Sequence, residues 1–298
     1  MLRDGRWIGT APAAELRDAE LIRWMIGREL ATRFPSRQSD PGGERLRVEH
    51  FSVAQPGTFS TRGGRRLVKD VSFAVRSGEI VGIAGLQGSG NSALLAGLFG
   101  AWPKAVEGNV VLDGQPFSVR SPQWSVQHGL AHLTSDRKGT GLILGLDVAQ
   151  NISLASLEGI SRWGFLQTKR ELEMAARQVK SLDIRGASLS QEVQNLSGGN
   201  QQKVLLAKWV ETRPRVFLLD EPTRGIDVGA KHEVYALIHR WIAQGIAIVL
   251  ITSELQELIG LADRILVMHR GRISAEFSRD QATQERILRA AMGDPWTN

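Results

Sequence analysis

One short stretch restricts the fold of this chain more than any other. Gly85-Leu86-Gln87-Gly88-Ser89-Gly90-Asn91-Ser92 has the G-x-x-x-x-G-K-[ST] spacing of a phosphate-binding loop, with asparagine where that pattern carries lysine. The apolar run at 79–84 reads as a buried strand, and 93–99 reads as the start of a helix. Glycines let the backbone approach oxygen atoms closely and adopt positive φ. Successive N–H groups and the positive end of the following helix then favour a polyphosphate. Gly85, Gly88, Ser89 and Gly90 would form that cradle, Asn91 would offer only a neutral hydrogen bond, and the Ser92 hydroxyl would face Mg²⁺. The same residues also fit G-x-G-x-x-[GA] over Gly88-Ser89-Gly90-Asn91-Ser92-Ala93, the dinucleotide fingerprint. Asp113 ends a predicted strand roughly where a ribose-binding acid belongs. From the loop alone, a nucleotide triphosphatase and a nicotinamide or flavin oxidoreductase both stand.

The rest of the chain has the pattern of one α/β domain. The runs Ile80-Val81-Gly82-Ile83-Ala84, Val110-Val111-Leu112, Val216-Phe217-Leu218-Leu219 and Ile246-Ala247-Ile248-Val249-Leu250-Ile251 read as strands buried on both faces of a parallel sheet. An antiparallel sheet is expected near 45–73. From about 150 to 200 the sequence turns helical and polar, which predicts a helical subdomain. Pro, Gly and Ser dominate 34–44, a linker. Ahead of it, Leu2-Arg3-Asp4-Gly5-Arg6 resembles Met268-His269-Arg270-Gly271-Arg272, and Gly27 follows Gly5 at the same interval as Gly293 follows Gly271. Each copy reads as strand, glycine turn, strand and short helix. The repeat makes 1–33 the expected end of a preceding unit, with the main domain over 45–293 and a tail at 294–298.

Composition narrows the partners. The chain has no cysteine, which rules out disulfides and thiolate metal sites. No H-E-x-x-H or similar spacing points to a protein-built metal centre. The net charge of +6 is compatible with nucleic acid, anionic lipid or a polyanionic ligand, but reads first as a basic solvated surface, with no basic run long enough for a nucleic-acid arm.

Two further motifs decide between the readings of the loop. In Val216-Phe217-Leu218-Leu219-Asp220-Glu221-Pro222-Thr223 a buried strand ends in consecutive carboxylates. Asp220 is placed to hold Mg²⁺ through its water shell, and Glu221 to polarise an attacking water as general base. Leu196-Ser197-Gly198-Gly199-Asn200-Gln201-Gln202-Lys203 opens a helix, and its Ser197 hydroxyl and glycine amides make a second anion site.

These motifs, with Gly225-Ile226-Asp227, resemble the ATP-binding subunit of ABC transporters. The closer similarity is to the second ATP-binding half of tandem bacterial importers for simple sugars, of the ribose and galactose type. The stretches Thr223-Arg224-Gly225-Ile226-Asp227-Val228-Gly229-Ala230-Lys231, Asp136-Arg137-Lys138 and Asp263-Arg264-Ile265-Leu266-Val267-Met268 carry that likeness. The resemblance implies a P-loop NTPase fold: a core of parallel strands, an antiparallel β subdomain and a helical subdomain. It implies ATP and Mg²⁺ as cofactors, a head-to-tail partner cassette and an integral membrane sugar permease. A sugar-binding protein would act indirectly, and the chain would sit at the cytoplasmic face of the cell membrane. Gly85, Gly88, Ser89, Gly90, Asn91, Ser92, Asp220, Glu221 and Ser253 would form the chain's own site. Ser197, Gly198, Gly199 and Asn200 would serve ATP held by the partner, with Asp227 in the loop that couples the sites. Ser253 stands where the family has its switch histidine, and Leu133-Thr134-Ser135-Asp136 fills the stretch where a glutamine is expected. Those departures and Asn91 imply a degenerate site beside an intact signature. A regulatory, non-hydrolysing half is the alternative within the family. Phe51 and Phe59 are the candidates for stacking on adenine.

Overall fold

In the computed structural model, the residues described are 41–56, 65–186 and 188–293, with Leu2–Arg3, Arg6–Trp7, Thr10 and Pro12. The rest of the expected 1–33 unit, most of the linker, Phe59 and the tail lie outside them. The main sheet has six strands. They are β3 (Ile80–Gly85), β6 (Leu130–Leu133), β9 (Val216–Asp220), β10 (Ala247–Ile251), β11 (Arg264–His269) and β12 (Arg272–Ser278), in the order β12-β11-β3-β10-β9-β6. All neighbours are parallel except the edge pair β11–β12. The second sheet is antiparallel: β1 (Glu44–Ala54), β2 (Arg66–Arg76), β4 (Val106–Leu112) and β5 (Gln115–Pro116), in the order β2-β1-β4-β5.

The continuous apolar runs explain the layering. Val81, Ile83, Val216, Leu218, Val249 and Ile251 face one core, and Ile80, Phe217, Leu219, Ile248 and Leu250 face the other. The period-two alternation of a strand sends successive side chains to opposite faces, so apolar residues at every position bury both. The first core lies between the two sheets and encloses α1 (Asn91–Leu98), whose Leu94, Leu95 and Leu98 are at most 1% exposed. The second lies under α6 (Gly198–Val210), α7 (Val228–Ala243), α8 (Leu255–Leu261) and α9 (Gln284–Met292). Gly82 lets α8 approach β3: a Cβ there would lie 2.9 Å from Leu258 Cδ1.

One sequence expectation is corrected. Val110–Leu112 belongs to β4 in the antiparallel sheet, not to the parallel core. Three apolar residues are too few for periodicity to reveal the sheet, and the preceding Glu107, Gly108 and Asn109 are exposed. Beyond α2 (Pro122–Gln127), the polar stretch does fold into helices, α3 (Val148–Ser153), α4 (Leu157–Ile160) and α5 (Thr168–Ser181), with a small hairpin of β7 (Ser161–Arg162) and β8 (Phe165–Leu166) between the last two. Glu171 of α5 is buried and accepts from Ser153 Oγ at 2.6 Å, which joins α5 to α3. No helix among the described residues is long and apolar enough to cross a membrane.

The internal repeat has a structural counterpart. Leu2–Arg3 and Arg6–Trp7 pair antiparallel as Leu2↔Trp7 and Arg3↔Arg6. In the matching positions of β11 and β12, Met268 pairs with Ile273 and His269 with Arg272. The two hairpins share one register.

Candidate functional site

The carboxyl ends of β3, β6, β9 and β10 open on one cleft of about 620 Å³, lined by 85–93, Leu67, Ser135, Glu221, Arg224, Ile251, Thr252 and Ser253. Crevices at this end of a parallel sheet are where α/β folds hold ligands. The glycine loop connects β3 to α1. Gly85 has no room for a side chain, because a Cβ would lie 2.8 Å from Met268 O and still closer to Ser89 Oγ. Gly90 caps α1 at φ +104°, and a Cβ there would collide with Leu67 O. Gly271, in the β11–β12 turn, donates from its N–H to Ser89 O at 2.8 Å and accepts from Lys69 N at 2.7 Å. The edge hairpin therefore braces the loop against β2.

Asn91 turns inward within the loop. Its Oδ1 accepts from Ser89 Oγ at 2.9 Å, so the amide oxygen is already engaged. Asp220 is 3% exposed behind the loop. Burial raises its pKa, against the lowering effect of the Ser92 and Ser135 hydroxyls beside it. Its Oδ1 has no hydrogen-bond partner. A buried carboxylate oxygen without a donor beside a serine hydroxyl fits a hard cation that takes oxygen ligands. Glu221 lies on the cleft wall in the left-handed region, φ +53°, which turns the side chain away from the strand. Its N–H donates to Ile251 O at 2.9 Å, and its Oε2 accepts from Ser253 Oγ at 3.1 Å. Burial raises the Glu221 pKa, and the Asp220 charge adds to this.

A separate surface holds the remaining candidates. Ser197 caps α6 by accepting from Asn200 N at 3.4 Å, and the Gly198 and Gly199 amides open the helix. Asp227 caps α7, its Oδ1 accepting from Ala230 N at 2.9 Å. The two helix starts touch: a Cβ on Gly199 would lie 2.8 Å from Ala230 Cβ. The Asn200 amide is committed to the Arg185 peptide, accepting from its N–H at 3.1 Å and donating to its carbonyl at 3.0 Å. None of Ser197, Gly198, Gly199, Asn200 or Asp227 lines the cleft. Arg137 Nη1 donates to Gly198 O at 3.1 Å, a contact the sequence did not suggest.

Other expectations fail on geometry. Phe51 is 1% exposed in the core between the sheets, so it has no face for an adenine ring. Asp113 pairs with Arg45 at 2.7 Å and with Arg215, and does not reach the glycine loop. The dinucleotide reading therefore lacks its acid.

A family model described as ABC transporter matches residues 68–224, which include the glycine loop, the signature and the paired carboxylates. The chain belongs to the ABC transporter family. A ribose import ATP-binding protein of Geobacillus kaustophilus (strain HTA426) is 44% identical over 293 residues, covering 98% of this chain and 57% of that protein. A xylose import ATP-binding protein of Moorella thermoacetica (strain ATCC 39073 / JCM 9320) is 46% identical over the same length, with the same coverage of each. This chain thus spans little more than half the length of these relatives. Among solved structures, a nucleotide-free ATP-binding cassette from an ABC transporter superposes with a TM-score of 0.69 at 21% identity, covering 83% of this chain and 98% of that one. A dimeric post-hydrolysis cassette bound to ADP and Pi gives 0.67 at 20% identity, covering 78% and 98%. These likenesses show the cassette fold, a P-loop NTPase architecture. Ser135 and Arg224 join the ABC cassette's cleft; both lie in stretches that the family likeness marks, although neither was itself a candidate site residue. Ser135 lies two residues beyond the end of β6 and Arg224 four beyond the end of β9.

Proposed function

We propose that this ABC cassette is the second ATP-binding half of an importer for simple sugars, ribose or xylose by the names of its relatives. Its own site is degenerate, and its signature completes the ATP site of a partner cassette. The observation that carries the reading is the separation of the two surfaces. The cleft gathers Gly85, Gly88, Ser89, Gly90, Asn91, Ser92, Glu221 and Ser253, while the signature and Asp227 lie outside it. Two such cassettes placed head to tail would set each signature against the other's glycine loop.

Within the cleft, the loop amides would hold the phosphates of ATP. Ser92 and Asp220 would hold Mg²⁺, which when bound neutralises phosphate charge. Glu221 would accept a proton from the attacking water, and its raised pKa brings it nearer the working pH. Ser253 holds Glu221 through its hydroxyl and brings no positive charge to a terminal phosphate. Asn91 likewise supplies none. Losing a charge-assisted contact of about 1.5–3 kcal/mol weakens binding roughly ten- to a hundredfold. Little hydrolysis is expected from this site, which leaves the intact signature as the chain's contribution to turnover.

Residues 1–33 read as the end of the first cassette, on the shared register of the two hairpins, with 34–44 as linker and 45–293 as the cassette. The full assembly would couple ATP hydrolysis to a membrane permease at the cytoplasmic face, fed by a sugar-binding protein. Glu221→Gln tests the division of labour. The ATPase of a complex with the first half of its transporter should be nearly unchanged. A loss of tenfold or more would place hydrolysis in this chain's own site.

A further inference from the structure

The two surfaces of the cassette meet on one buried carboxylate. Glu257, in the first turn of α8, is 2% exposed. Its Oε1 accepts from the Tyr235 hydroxyl at 2.6 Å and from Lys231 Nζ at 2.9 Å, both on α7. Its Oε2 accepts from Thr223 Oγ1 at 2.6 Å and from Thr252 Oγ1 at 3.1 Å. One oxygen therefore holds the helix that begins at Asp227. The other holds the two turns that leave β9 and β10.

Those turns present the cleft's reacting groups. Thr223 lies two residues beyond Glu221, and Thr252 immediately precedes Ser253, whose hydroxyl bonds Glu221. Thr252 Oγ1 also accepts from Glu254 N at 3.2 Å, which fixes the turn after β10. On the opposite side, Ala230 of α7 packs against the opening of the signature helix at Gly199, and Lys231 is the next residue. A buried ionised pair is a poor way to gain stability, since apolar residues of similar volume often do as well. A fully bonded carboxylate between four donors instead dictates where each of them sits. The two hydroxyls on Oε2 cannot both keep their bonds if α7 carries Glu257 away from the strand ends.

We propose that Glu257 is a positioning residue that couples the signature face to the phosphate-loop cleft, through Lys231 and Tyr235 on one side and Thr223 and Thr252 on the other. A displacement of α7 at the partner surface is passed to Ser253 and Glu221, and a γ-phosphate in the cleft is felt in return at Asp227. Coupling of this kind is reciprocal. The inference rests on reading the cleft as a nucleotide site.

The test is a double-mutant cycle on the full chain, titrated with methylanthraniloyl-ATP and methylanthraniloyl-ADP in Mg²⁺. The proteins are wild type, Ser253→Ala, Glu257→Gln, the double variant and Tyr235→Phe. The readout is the ratio of ATP to ADP affinity, because general loosening of the fold lowers both affinities together. Ser253→Ala and Glu257→Gln should each lower the ratio about threefold, and the double variant should fall no further than either single one. Tyr235→Phe, which deletes one donor from the α7 side and keeps the rest, should lower the ratio in the same direction. Additive effects, near ninefold in the double variant, would overturn the coupling, as would Glu257→Gln lowering both affinities equally or Tyr235→Phe leaving the ratio unchanged. If wild type bound neither nucleotide, the reading of the cleft would fall and take this one with it. Binding by wild type with additive variants would overturn the coupling alone.

Discussion

Restoring the missing cation should recover part of the nucleotide affinity, and the structure sets how much. Asn91 begins α1 with its side chain turned toward the loop, where Oδ1 accepts from Ser89 Oγ at 2.9 Å. Asn91→Lys removes that neutral bond, at a cost of about 1 kcal/mol, and leaves Ser89 to find another acceptor. In exchange an ammonium group faces the terminal phosphates, and a charge-assisted contact contributes about 1.5–3 kcal/mol. The net gain of roughly 0.5–2 kcal/mol corresponds to about two- to thirtyfold tighter ATP. ADP should gain less, since a lysine here reaches the outer phosphates. Isothermal titration with ATP and ADP in Mg²⁺ measures both, and the gain should shrink as salt is added, because Asn91 is only partly buried. Equal affinity of the variant and wild type for ATP would refute the placement of Asn91 at the phosphates. A gain insensitive to salt would refute the electrostatic account of it.

Other outcomes follow from individual groups. Asp220→Asn should raise the melting temperature of the nucleotide-free chain at neutral pH and abolish the Mg²⁺ dependence of nucleotide binding. Burial holds the Asp220 pKa above its unfolded value, so the ionised group opposes folding and stability is gained as pH falls through the folded pKa. Calorimetry showing a lower melting temperature for the variant would contradict this. His132 has the opposite sign: burial lowers its pKa to about 4 from 6.5. The unfolded chain takes up the proton first, so stability is lost as pH falls from about 6.5 toward 4, by about 3 kcal/mol in all. His132→Phe should flatten that slope in denaturant titrations at pH 5 against pH 7, and an unchanged slope would remove His132 from the acid response. Gly90→Ala should cost well over 1 kcal/mol and abolish nucleotide binding, since its φ is positive and a Cβ collides with Leu67 O. Wild-type stability in urea would show that the loop bends elsewhere.

What could be read from the chain alone was whatever lies close together along it. The glycine loop, the carboxylates after β9 and the signature before α6 each carry flanking elements that announce them. The buried strands were legible because both of their faces are apolar. The strand at Leu130–Leu133 is four residues long and interrupted by His132, so periodicity alone did not place Ser135 at the cleft; only the family likeness marked its stretch. Phe51 looked free to stack until the sheets closed over it. The commitment of Asn200 to the Arg185 peptide depends on a loop fifteen positions earlier, and no local pattern marks it. The Glu257 cluster draws on Thr223, Lys231, Tyr235 and Thr252, which only the packing of α7 and α8 brings together.

The central claim is that this chain contributes a signature rather than a hydrolytic site. The most direct measurement is the steady-state ATPase rate of the proposed first half of its transporter, alone and with this chain added, with wild type and Ser197→Arg compared. A clear gain with wild type, lost with Ser197→Arg although the variant still binds the partner, is the expected result. No gain over the first half alone, or a gain that survives Ser197→Arg, would contradict it.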